Sequence, residues 1–134
     1  MAGRFDPLIF FDVADHLRSN PLQNKEEACF RTSVGRIYYT AFLLIRNKLV
    51  GKSYAISQMP GTGEHEKLIN YLKRSSKNVN EFALGALLDS LKTLRRHADY
   101  EPQNPLQDTH LESAFSKFQQ IKIYLNQIGW YTIA

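Results

Sequence analysis

The sequence predicts an all-α protein, an up-and-down bundle of four to five helices. Apolar residues recur at the three-to-four spacing of an amphipathic helix in five separate segments. None of the segments shows the strict alternation that is typical of a half-buried strand. Stretches rich in proline, glycine or polar residues separate them. With 134 residues, 43% of them hydrophobic, the chain is expected to form one domain over residues 1–134.

The first two helices are bounded by recognisable start and stop residues. The first is expected at about residues 7–19, because Asp6 can cap it and Pro7 suits the first helical position. The second is expected at about residues 25–50 and ends at Gly51. We expect a core of about residues 25–128, with the first helix packed on it.

The remaining helices follow a glycine-containing loop that we expect over residues 51–63. They are expected at about residues 64–75, 80–98 and 108–128, with a polar run at 75–80 and a proline-bracketed loop at 101–105. Gly129 ends the last helix, as glycine commonly does. The aromatic tail, residues 130–134, is expected to pack on its own bundle.

Charge gives a mild indication of the partner. Lys and Arg together number 17 against 13 Asp and Glu, so the formal charge is +4 and the pI is about 9.2. This balance favours an anionic partner such as nucleic acid, although solvated lysines give the same composition.

Several kinds of chemistry have no support in the sequence. A single cysteine, Cys29, cannot form an internal disulfide and is interpreted as a core residue. Asp12 and His16 are four residues apart but lack further ligands, so no metal is expected. The segment PGTGEHEK lacks the spacing of a phosphate-binding loop, and we expect His65 to cap or solvate the start of a helix.

Membrane and secretion signals are also missing from the sequence. No run approaches the roughly 20 apolar residues of a membrane span. Charged and polar residues interrupt the N-terminal apolar patch early, which argues against a signal peptide. We therefore expect a cytoplasmic protein that has no membrane partner and no cofactor.

Two polar stretches remain as a possible site. In SVGRIYYTAF, Arg36 and Tyr39 lie three residues apart on one helix face. In LRRHADYEP, Arg95 and Asp99 are four apart and face the same way. Read alone, the second stretch is an ion pair on a solvated helix that contributes about 0.3–0.5 kcal/mol. Both a structural and a functional interpretation stay open on these residues.

These stretches resemble a known family. The relevant residues are Ser33, Arg36, Tyr38, Tyr39 and Phe42 in one helix, His65 before an apolar helix, and Leu94, Arg95, Ala98, Asp99, Tyr100 and Glu101 in a later helix. In order and spacing they are similar to the HEPN-domain superfamily, in its small stand-alone type known as UPF0332. The likeness covers about residues 25–128, and the LRxxADY part is its most specific element.

The resemblance implies a four-to-five-helix bundle, often dimeric, in a superfamily rich in RNA-cleaving toxins and defence proteins. Catalytic members carry an arginine and a histidine with four to six residues between them. The arginine holds phosphate, and the histidine assists attack by a 2′-hydroxyl without a metal. No histidine in this sequence has an arginine at that spacing before it, and Asp99 lies near the position expected for the histidine. The ribonuclease motif is therefore degenerate.

Three functions follow as hypotheses. The first is a HEPN-type protein of a toxin–antitoxin or defence system that binds RNA or a partner protein as a homodimer. The second is an active metal-independent endoribonuclease, and the third is a noncatalytic subunit for a nucleotidyltransferase or a larger complex. The residues assigned to catalysis are Arg95, His97 and Asp99, and those assigned to RNA binding are Arg36, Tyr39, Arg96 and Tyr100.

Overall fold

The computed structural model describes residues 5–74 and 78–134. Its helices are α1 (Leu8–Ser19), α2 (Glu26–Lys48), α3 (Ser53–Ser57), α4 (Glu64–Arg74), α5 (Val79–Tyr100) and α6 (Asp108–Ile128). A single 3-10 turn, Val50–Lys52, follows α2. These two ranges contain no strand, and the all-α helical bundle is confirmed.

Helix α2 is the centre of the bundle. It packs against α1, α5 and α6, while α5 packs against α2, α4 and α6. Because neighbours cover α2 on several sides, its buried residues are not confined to one stripe. The buried Ser33 hydroxyl donates to the carbonyl oxygen of Ala14 at 3.0 Å, which joins α2 to α1. One hydrophobic core includes residues of α1, α2, α4, α5 and α6.

The structure corrects the helix count and some helix ends. It has six helices in the described ranges rather than four to five, because the expected loop at 51–63 contains α3. A five-residue helix is too short to show a periodic pattern. Helix α5 continues to Tyr100, two residues beyond the expected end. The predicted end of α4 at Ser75 and the start of the polar run lie outside the described residues.

A side chain of α2 caps the C-terminal end of α5. The Arg31 guanidinium, only 14% exposed, donates to the carbonyl oxygens of His97 and Ala98 at 3.0 and 2.9 Å. It also donates to the carbonyl oxygens of Glu101 and Asn104 in the following loop. The last carbonyls of a helix lack partners within the helix and carry partial negative charge, which a cation stabilises. Arg31 therefore holds the end of α5 against α2.

The C-terminal tail packs on its own bundle, as expected. The Tyr131 hydroxyl donates to the carbonyl oxygen of Leu44 at 2.7 Å, and Trp130 and Ile133 pack against the core. Gly129 ends α6 with a φ of 86°, in the left-handed region that favours glycine. Cys29 is buried, as predicted. Within the described ranges, no helix combines the length and apolarity that a membrane crossing requires.

Two buried glycines in helix interiors allow a matched test of the packing. A Cβ on Gly85 would lie 2.9 Å from Leu72 Cβ and 3.4 Å from a backbone oxygen, whereas one on Gly35 would meet only Asp99 Oδ1 at 3.7 Å. We expect Gly35→Ala to raise the free energy of unfolding by roughly 0.5–1 kcal/mol through helix propensity. Gly85→Ala should lower it by about 1 kcal/mol, because overpacking outweighs that gain. Urea unfolding measures both, and equal effects would contradict the close approach of α4 and α5.

Candidate functional site

Polar and aromatic residues of α2, α4 and α5 meet on one side of the bundle. We call this group the Arg95 cluster; its members are Arg36, Tyr38, Tyr39, His65, Arg95, Asp99 and Tyr100. Arg36, Tyr38 and Tyr39 come from α2, His65 comes from the first turn of α4, and the others come from the last turns of α5. The packing of α5 on α2 and α4 brings these three segments together.

Arg95 lies at the centre of the cluster. Its side chain is only 16% exposed. Its Nε donates to Asp99 Oδ2 at 3.1 Å, and its Nη2 donates to the hydroxyls of Tyr39 and Tyr100 at 3.3 and 3.4 Å. The guanidinium carbon is 5.1 Å from the ring centroid of Tyr39, within the range of a cation–π contact. Arg95 therefore does more than form an ion pair with Asp99 on a solvated helix, because it also contacts tyrosine side chains.

His65 contributes an imidazole that faces the cluster from α4. Its Nδ1 is 2.6 Å from the Tyr38 hydroxyl, and its ring stacks on Phe42 with 3.9 Å between centroids. Burial lowers the pKa of His65, and the positive charge of Arg95 lowers it further. The expectation that His65 merely caps or solvates a helix start is wrong, because its ring is partly buried against aromatic side chains. The sign available in the sequence is the position of His65 directly before the apolar residues of α4.

Tyr38 supports the His65 ring from the core. The side chain is fully buried, and burial raises the pKa of its hydroxyl above the ordinary range. A hydroxyl that keeps its proton can donate to His65 Nδ1, which leaves the imidazole proton on Nε2. The tyrosine therefore fixes the ring orientation and can select its tautomer, as hydrogen-bonded partners do for functional histidines.

The rim of the cluster carries a second cation and an exposed ring. The Arg36 guanidinium lies 5.6 Å from the Tyr39 ring centroid and 4.9 Å from that of Phe10. Tyr100 is 65% exposed, so most of its side chain is accessible while its hydroxyl contacts Arg95. Of the predicted binding residues, Arg36 therefore contacts Tyr39, and Arg95 connects Tyr39 to Tyr100.

Two of the predicted site residues are not brought into the cluster. The Nε2 of His97 lies 3.0 Å from the carbonyl oxygen of Asn104, and its ring meets His110 edge-on. Positions two apart on a helix point in nearly opposite directions, so His97 cannot face the same way as Arg95. Arg96 is exposed, and its side chain makes no hydrogen bond or ion pair with residues in the described ranges.

The electrostatic balance of the site is positive. Asp99 offsets the charge of Arg95, and Arg36 has no carboxylate partner in the described parts of the chain. The exposed Arg96, which lies outside the cluster but follows Arg95 in the sequence, has none there either. Lys92 and Arg46 act on His65 in the same direction as Arg95, and Glu64 opposes them. No group of three or more histidine, cysteine or acidic side chains there is placed to hold a metal. The arrangement can bind an anion that carries a planar group, through its cations and its exposed tyrosine.

Comparison with known proteins shows similarity to an archaeal protein. The chain is 30% identical over 115 residues to the uncharacterized protein MJ0628 of Methanocaldococcus jannaschii, an alignment that covers 78% of this chain and 69% of the relative. No protein-family model matches the sequence. No solved structure matches it either.

The lowered pKa of His65 predicts a pH dependence of stability. In the unfolded state the His65 imidazole binds a proton near the ordinary histidine pKa of about 6.5, whereas in the folded state it binds one only at lower pH. The contribution of neutral His65 is therefore complete above that value and is lost as the pH falls below it. We expect the wild type to lose more stability than His65→Asn between about pH 7.5 and pH 5.5 in urea unfolding. An identical loss in both proteins would contradict the burial of His65.

Proposed function

Because the chain belongs to the same family as the uncharacterized protein MJ0628, whose name assigns no activity, we propose a function from the site itself. We propose a HEPN-type helical protein of a toxin–antitoxin or defence system that binds single-stranded RNA at the Arg95 cluster. As part of this proposal the protein is a homodimer in the cytoplasm, and its ribonuclease motif is degenerate.

The observation that carries the proposal is the placement of Arg95 among three tyrosines. Its guanidinium lies within 5.1–5.7 Å of the ring centroids of Tyr38, Tyr39 and Tyr100. RNA presents phosphates to cations and unstacked bases to aromatic rings, so a single-strand site needs both in one place. Arg36 and Arg96 add phosphate-binding charge, and the exposed Tyr100 ring provides a stacking surface.

Asp99 is compatible with an RNA site only because it is paired. A free carboxylate would repel the phosphates. Its Oδ2 accepts from Arg95 Nε at 3.1 Å, so the pair approaches RNA with little net charge. This leaves Arg36 and Arg96 as the residues that attract phosphate, while Arg95 holds the tyrosines and Asp99 in position.

Substitution of the two arginines that attract phosphate tests RNA binding. We expect Arg36→Ala combined with Arg96→Ala to raise the dissociation constant for a short single-stranded RNA by about tenfold or more. The slope of log affinity against log salt concentration should decrease by the amount expected for the loss of roughly one to two phosphate contacts. Fluorescence anisotropy over a series of salt concentrations measures both quantities.

The matched control is Lys48→Ala combined with Lys52→Ala. These exposed residues lie at and just beyond the C-terminal end of α2, and the change in charge is the same. The control should retain near wild-type affinity. If the two double variants weaken binding equally, only the overall charge matters and the site assignment is wrong.

A second candidate function is metal-independent RNA cleavage, and the position of His65 favours it. The imidazole lies beside Tyr38 on the same side of the bundle as Arg95, although it comes from another helix than the family pattern implies. In the tautomer whose Nδ1–H donates to the Tyr38 hydroxyl oxygen, the free Nε2 of the neutral imidazole can take the proton of a 2′-hydroxyl as that oxygen attacks the adjacent phosphate. The resulting imidazolium then returns this proton to the 5′-oxygen as it leaves. In this version His65 replaces His97 and Asp99 as the acid–base group.

Histidine variants separate the two candidates. With EDTA present, we expect His65→Asn to abolish cleavage of a single-stranded RNA while it still binds, because only proton transfer is lost. His97→Asn, the matched control, should cleave as the wild type does, since His97 contacts Asn104 instead. RNA cleavage by His65→Asn at the wild-type rate, or a wild type that binds without cleaving, would exclude this candidate.

The third candidate function is binding of a partner protein, for which the chain offers a surface other than the Arg95 cluster. Phe5, Ile9 and Val13 lie four residues apart along α1 and its approach, and each is at least 43% exposed. Such a stripe suits contact with a nucleotidyltransferase-type partner or with a second copy. It supports an interaction role that does not compete with RNA at the Arg95 cluster.

A further inference from the structure

A second concave site lies apart from the Arg95 cluster. A cavity of about 440 Å³ opens between the end of α2, the short helix α3 and the first turns of α4. Its volume is within the range of small-molecule sites, roughly 300–1,000 Å³. The apolar part of its lining comes from Leu49, Val50, Ile56 and Leu68.

The cavity exists because α3 covers the end of the bundle incompletely. Leu49 and Leu68 belong to the buried core, whereas Val50 and Tyr54 are largely exposed. Ile56 is the residue of α3 that packs against the core. Since α3 has only five residues, the exposed Val50 and the partly exposed Ile56 remain accessible at this end of the bundle.

Charged groups stand at the mouth of this apolar cavity. Arg46 pairs with Glu64 at 3.3 Å. The ammonium group of Lys67 makes no hydrogen bond or ion pair with any residue in the described ranges. The lining therefore carries two cations against one carboxylate, together with the hydroxyls of Ser53 and Ser57. An apolar cavity with a surplus cation is complementary to a ligand that has an apolar body and one negative charge.

We propose that this cavity binds a small amphipathic carboxylate, with its apolar body against Val50 and Ile56 and its carboxylate on Lys67. The site does not depend on the RNA-binding proposal, because it shares no residue with the Arg95 cluster. It is nevertheless connected to that cluster: the Arg46 guanidinium lies 5.6 Å from the Phe42 ring centroid, and Phe42 stacks on His65.

Titration with octanoate, followed by amide chemical shifts in NMR spectra, tests the proposal. We expect saturable shifts at Val50, Ile56 and Lys67, with a dissociation constant of about 1 mM or tighter for a ligand of this size. Octan-1-ol and octylammonium have the same apolar body without the negative charge, and both should bind several-fold more weakly.

Lysine variants test where the carboxylate of the ligand binds. Lys67→Gln should weaken octanoate about threefold and leave octan-1-ol unchanged, because it removes a charge but little apolar surface. Lys117→Gln on α6 is the matched control and should bind as the wild type does. The proposal is overturned if shifts lie outside the cavity, if none saturates, if the three ligands bind alike, or if Lys67→Gln has no effect. All of these results leave RNA binding by the Arg95 cluster untouched.

Discussion

Two arginines that reach in opposite directions hold α2 and α5 together, and the site depends on both. Arg31 of α2 donates to carbonyl oxygens at the end of α5, and Arg95 of α5 donates to the Tyr39 hydroxyl of α2. Hydrogen bonds with a charged partner contribute about 1.5–3 kcal/mol, more than neutral ones. Because both arginines are largely buried, the two helices have a defined register at the cluster.

That register decides which side chains can act together. In the last turns of α5, Arg95 contacts Asp99 and Tyr100 of its own helix and Tyr39 of α2. His97 points instead to the loop before α6. The packing of α4 on α5 then brings His65 to the same side as Arg95. A cation, an imidazole and tyrosine hydroxyls from three helices thus form one polar group at the edge of an apolar core. This is the arrangement on which the RNA-binding proposal rests.

Much of the fold could be predicted from the sequence, but less of the site. The long helices follow from their periodic apolar residues, and α6 has the predicted bounds of Asp108–Ile128. Helix α3 could not be predicted, because a helix of about one turn is too short to show a periodic spacing of apolar residues. The spacing predicts that Arg36 and Tyr39 share one face of α2 and that Arg95 and Asp99 share one face of α5, and the members of each pair are in contact. His65 could not be placed beside Tyr38, since 27 residues separate them and only tertiary packing joins them. Helix geometry excludes His97 from the Arg95 cluster, because residues two apart on a helix face in nearly opposite directions. The prediction that His97 belongs to the site rests on its proximity to Arg95 in the sequence.

NMR spectra of the protein titrated with a short single-stranded RNA test the central claim most directly. The side-chain Nε–Hε signal of Arg95 reports on the cluster, and the amide signals of Tyr39, His65 and Tyr100 report on its three helices. We expect these four signals to shift in a saturable way with one common affinity, while the amides of α3 remain in place. Shifts that are confined to surface lysines, or that lie on α3 and leave Arg95 Nε–Hε unchanged, would contradict an RNA site formed by the contact of α2 with α5.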